Sequence, residues 1–128
     1  MLKIDVQEDC GNAPKKAFIR DFNIAFVKGE IEALLDNLAD DIEWHMIGDK
    51  TMSSKEEVKE FLAPMMSSKA TELVIKHIVT HGNTAACDGT MSFEDGSKIA
   101  FCDFYTFTGH DKNAKIREIT SYGVELEE

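Results

Sequence analysis

Apolar residues recur at two different spacings along this chain, and the change of spacing divides it into a helical half and a stranded half. Ala17, Phe18, Phe22, Ala25 and Phe26 fall three and four apart, which gives one apolar helix face. That helix opens around Asn12, Ala13 and Pro14, where a capping residue precedes a proline that a first turn tolerates. Gly29 ends it. Ile31, Leu34, Leu35 and Leu38 continue the same spacing in a second short helix that stops before the acidic pair Asp40 and Asp41. The segment IEWHMIG, Ile42 to Gly48, is β-branched and aromatic and breaks at glycine, so it predicts a short strand. Ser53 and Ser54 are each followed three residues later by a glutamate, Glu56 and Glu57, the pattern of a capping box. Val58, Phe61, Leu62 and Met65 supply the apolar face of the third helix, with Pro64 near its end.

From Thr71 onward the period is two. TELVIKHIVTHG, TAACDGTMSF, SKIAFCDFYTF and AKIREITSYGVEL read as four strands, separated by His81 to Asn83, by Asp95-Gly96, and by a polar loop around Gly109 to Asn113. The order α-α-β-α-β-β-β-β predicts an α+β fold in which three N-terminal helices pack on one continuous antiparallel sheet. With no repeats and no linker, residues 1–128 form one domain whose first eleven residues are an N-terminal arm.

Strand alternation puts Phe101, Asp103, Tyr105 and Phe107 on one face, with Cys102, Phe104 and Thr106 on the other. If Asp95 and Gly96 are the two central residues of a tight hairpin, Glu94 pairs with Ser97 and Asp88 lies opposite Asp103, with Cβ atoms about 5 Å apart. Two carboxyls sharing an apolar cavity cannot both ionise cheaply, so such a pair offers an acid beside a base. A longer or bulged turn shifts the register by one and sends Asp88 to the other face. A third arrangement keeps the pair but neutralises it with Arg117.

The string LADDIEWHMIG from Leu38 to Gly48, the capped helix after Ser54, and the ending KIREITSYGVEL from Lys115 to Leu126 resemble the SnoaL-like and ketosteroid-isomerase-like branch of the NTF2-like superfamily, across nearly the whole chain. The resemblance implies a cystatin-like cone with a curved sheet and a small-molecule pocket. Residues expected to line it are Phe18, Phe22, Trp44, Met46, Phe61, Met65, Phe101, Tyr105 and Ile119. It also implies a homodimer through the outer sheet face, where Phe104 would otherwise form part of an exposed apolar patch. Steroid isomerases of the family use a general-base aspartate on the first strand, together with a tyrosine and a protonated aspartic acid that donate to the enolate oxygen. Counting from the acidic pair, the base position falls on Met46. Counting back from Gly29, the tyrosine position falls on Phe22. Only the third, Asp103, keeps a group that exchanges protons, so the steroid mechanism is not expected here.

Charge and composition narrow the partners. The 24 acidic and 14 basic residues give a formal net charge of −10, which repels phosphate backbones and anionic membranes and sets nucleic acid aside. Three cysteines, Cys10, Cys87 and Cys102, without CxxC spacing, argue against a disulfide framework or a structural zinc and for a reducing cytoplasm. No apolar segment has the length of a signal peptide core or a membrane span. His77 and His81 are four apart, but on a strand they would lie roughly 13 Å apart, too far for one ion, so neither metal nor cofactor is expected. His45 alternates away from Trp44 and Met46, toward the surface or an interface. Cys87 and Cys102 are expected on the outer face as inert thiols, and Met52, Met65 and Met66 as adaptable lining near the pocket mouth. Three functional classes fit: an acid/base enzyme (isomerase, dehydratase or polyketide-cyclase-like) using Asp103 and Asp88 on a small apolar or amphipathic molecule; a binding module that holds such a molecule unchanged; and a dimerisation module with a vestigial pocket.

Overall fold

The computed structural model describes residues 2–11, 13–65, 69–111 and 113–126; Asn12 and Met66 lie outside the described residues. The arm contributes a strand, β1 (Lys3–Val6), and is followed by α1 (Pro14–Lys28) and α2 (Ile31–Asp36). Pro14 sits in the first turn of α1. Gly29 closes that helix in the left-handed region at φ 72°, and its N–H donates to the Phe26 carbonyl at 3.1 Å. Next comes β2 (Leu38–Met46), which takes in Leu38 and the acidic pair that the helical spacing left outside a strand. Its turn returns as β3 (Thr51–Met52), antiparallel to β2, before α3 (Lys55–Met65). At the start of α3 the Glu57 N–H donates to Ser54 Oγ at 3.1 Å and Glu57 Oε1 accepts the Ser53 N–H at 2.8 Å, so the glutamate and serine satisfy backbone donors reciprocally.

The remaining strands are β4 (Ala70–His81), β5 (Thr84–Phe93), β6 (Lys98–Phe107) and β7 (Ile116–Glu125). All seven lie in one open sheet of order β1-β4-β5-β6-β7-β2-β3. Its centre, β4 to β7, is antiparallel as expected, but β1 joins β4 and β2 joins β7 in parallel. The sheet is therefore mixed at both flanks. Helices cover one face, where Ile19, Leu34, Val58 and Leu62 pack with Leu73, Ile75, Ile78, Tyr105, Ile116 and Ile119 in one buried cluster. On the other face Phe104 and Tyr122 remain 49% and 47% exposed and stack edge to face at 6.4 Å.

One turn decides the register of the central hairpin. The Phe93 N–H donates to the Ser97 carbonyl, and the Gly96 N–H to the Phe93 carbonyl, each at 3.0 Å. The loop therefore has three residues, Glu94 to Gly96, with Gly96 at φ 89°, the geometry of a turn followed by a left-handed glycine. Two-residue closure at Asp95-Gly96 is corrected by this. Every pairing moves by one: Asp88 lies opposite Cys102, and Cys87 opposite Asp103.

Candidate functional site

A cavity of about 740 Å³ opens between the helices and the inner face of the sheet. Phe22 and Phe26 reach it from α1, Trp44 and Met46 from β2, and Phe61 and Met65 from α3; Met91, Phe93, Ile99 and Phe101 floor it from β5 and β6. The exposed side chains of Asp49, Lys50 and Glu60 stand at its rim. Against this apolar wall stands one carboxyl, Asp103, placed inward by the pleat of β6.

Asp103 is held by hydroxyls. The Tyr105 hydroxyl donates to Asp103 Oδ2 at 3.2 Å and accepts from Asn23 Nδ2 at 3.1 Å. Asn23 is itself fixed, because the same amide nitrogen donates to the Ile19 carbonyl one turn back at 2.9 Å. Ser121, directly opposite Asp103 on β7, hydrogen-bonds the carboxylate from the other side, and its Oγ accepts the Trp44 indole N–H at 2.9 Å. Burial pushes the Asp103 pKa up to about 6, while the Ser121 and Tyr105 hydrogen bonds pull it back. Burial likewise holds the Tyr105 phenol well above its ordinary range, so it stays a neutral donor. Among the described residues no lysine, arginine or histidine forms an ion pair with Asp103. The group can take a proton from a bound molecule at neutral pH, or give one just below pH 6.

The structure brings Phe22, Trp44, Met46, Phe61, Met65 and Phe101 to the cavity with Asp103. Met46 and Phe22, where the family resemblance places a base and a tyrosine, face that same space. The other residues named from sequence lie elsewhere. Asp88 points to the outer face, where its carboxylate is 2.9 Å from His77 Nδ1, so the Asp88–Asp103 dyad does not form; the extra loop residue is the cause. Cys87 is corrected with it: the same shift turns this thiol inward, where it is buried and its pKa is pushed up by desolvation, while Cys102 stays outside. Phe18 packs edge-on against Phe107 at 5.4 Å and lines a separate cavity of about 240 Å³ with Lys15 and His110. Tyr105 and Ile119 sit in the core behind the cavity wall, as does Met52, and Arg117 is exposed. Sequence reasoning missed Asn23 and Ser121. A buried asparagine on the apolar face of a helix was the available signal for the first; the second needed the β6–β7 register.

The family model of the SnoaL-like domain matches residues 19–119, a span that holds Asn23, Trp44, Asp103 and Tyr105. The chain belongs to the SnoaL-like family. Solved structures place this SnoaL-like chain in the NTF2-like fold. An NTF2-like protein of unknown function from Cytophaga hutchinsonii is 22% identical, with 85% of this chain and 98% of that one covered at a TM-score of 0.64. Another from Burkholderia xenovorans is 15% identical over 94% and 90% of the two chains, with a TM-score of 0.74. A Kribbella flavida protein provisionally named a ketosteroid isomerase is also 15% identical, over 90% and 81%, at 0.72. At these identities the similarities establish the fold of this SnoaL-like domain and leave its chemistry to its own residues. No curated protein matches the sequence. Among the described residues no helix is long and apolar enough to cross a membrane.

Proposed function

We propose that this protein binds a small, mostly apolar molecule in the cone and that Asp103 exchanges a proton with it, in an isomerase-, dehydratase- or cyclase-type step. The observation that carries this reading is the Asp103 carboxyl itself, half-buried, with no ion-pairing cation among the described residues, poised near pH 6, and aimed into an aromatic cavity that no structural rule requires it to face. Tyr105 and Ser121 keep it oriented and ionised at neutral pH. Thermal-shift screening of metabolites supplies the test: a compound that binds should raise the melting temperature of the wild type, and the shift should shrink in Asp103→Asn if the compound engages the carboxyl. A screen without a stabilising compound, or hits indifferent to Asp103→Asn, would overturn it.

A second reading, binding without turnover, is favoured by Met46 and Phe22, which leave Asp103 as the one proton-exchanging group of the three the family resemblance names. Conversion of a stabilising ligand, followed by mass spectrometry, separates the two. The proposal includes a homodimer through the outer sheet face, supported by the exposed Phe104–Tyr122 ring pair and by Val79 and Val124, 57% and 63% exposed.

A further inference from the structure

Beyond the cavity, on the opposite side of the sheet, three side chains from two parallel strands converge. Trp44 and Met46 turn inward on β2, so Glu43 and His45 turn outward; Ile119 and Ser121 turn inward on β7, so Glu118 turns outward. The parallel register sets Glu43 directly beside Glu118. Two carboxylates side by side repel each other unless a cation lies between them. Among the described residues the ion-pairing partner of each is His45 alone, with Nε2 3.1 Å from Glu118 Oε2 and 3.8 Å from Glu43 Oε1.

We propose that Glu43, His45 and Glu118 form a binding site for a borderline divalent metal ion, with zinc(II) the best match. One donor atom from each lies within 4.8 Å of the other two. Neighbouring donors around a tetrahedral zinc with bonds of about 2.0–2.1 Å are about 3.3 Å apart, so the observed separations need only small side-chain rotations. The imidazole is already turned for this role. Its Nδ1 lies 3.1 Å from Thr51 Oγ1 on the neighbouring strand β3. If that nitrogen carries the proton and donates to the threonine oxygen, the Nε2 lone pair is left facing both carboxylates. One imidazole with two carboxylates suits zinc better than magnesium or calcium, which favour all-oxygen shells. Three protein donors leave a fourth position for water or for a donor from another molecule. This site is independent of the Asp103 cavity.

Calorimetric titration of the metal-stripped full chain with zinc chloride, repeated with cobalt chloride and visible absorption, tests the assignment. The expected result is one ion per chain, a tetrahedral-type cobalt spectrum, and at least a tenfold loss of affinity in both His45→Gln and Glu118→Gln, with His77→Gln unchanged. Nitrogen NMR of the wild type should show the His45 Nε2 signal, and not Nδ1, move on zinc addition, a readout that needs no variant. Absence of binding by the wild type would leave His45 as a plain ion-pair partner of the two glutamates and overturn the proposal. So would binding that survives His45→Gln, including binding that disappears when the thiols are alkylated.

Discussion

Asp103 differs from a surface carboxyl in the direction in which pH acts through it. Its folded pKa of about 6 lies above the unfolded value of 3.8, so the folded state binds its proton more tightly. Its stabilising contribution is complete below pH 4 and is lost as the pH rises through 6. Asp103→Asn should therefore melt at the same temperature as the wild type near pH 4, apart from a constant offset, and gain on it by about 2 kcal/mol between pH 4 and pH 8. Thermal denaturation across that range checks this, and a gap independent of pH would contradict it. That an inward carboxyl stands at position 103 was legible from alternation and from the family resemblance. Its setting was not, because Asn23 and Ser121 act through rotamers and cross-strand register, which no spacing along one strand encodes. Asp88 was misplaced for the same reason: its own strand was right and its neighbour's offset was wrong.

The three helices and the strands β2 and β4 to β7 were legible because each announces itself locally, through a period of 3.6 or 2 and through caps such as Ser54, Glu57 and Gly29; β1 and β3, four and two residues long, are too short to show a period and were not read. Turn length is a weaker signal, since Asp-Gly serves both as the centre of a two-residue hairpin and as the end of a three-residue loop. Two glycines of the central hairpin illustrate separate costs. Gly96 adopts φ 89°, and a Cβ added there would meet nothing within 4 Å, so Gly96→Val should cost only the conformational penalty, about 1–2 kcal/mol. At Gly89 a Cβ would come to 1.9 Å from the Val74 carbonyl oxygen. Backbone cannot rotate away as a side chain can, so Gly89→Ala should be the worse of the two, at about 3 kcal/mol or more. Urea denaturation orders them; a milder effect at Gly89 would show that the β4–β5 bulge can relax.

For the molecule as a whole, the helices cover one face of the sheet and leave the other to solvent or to a partner. If a second copy covers it, sedimentation equilibrium should give about twice the 14.3 kDa of one chain, and Phe104→Glu should return the protein to a monomer while the Asp103 cavity keeps its ligand. A monomeric wild type would end that reading. The parallel attachment of β1 and β2 was invisible in the sequence, since partner choice between distant strands leaves no local trace. Along β6 and β7, meanwhile, cavity residues and outer-face residues simply take turns: Phe101, Asp103 and Ser121 look inward, Cys102, Phe104 and Tyr122 outward. If a ligand fills the cavity and a second copy covers the outer face, odd and even positions on one ribbon can drift apart over generations, one set trading ligands while the other keeps its company. On those two conditions, a lineage built on this sheet can change its chemistry without renegotiating its assembly.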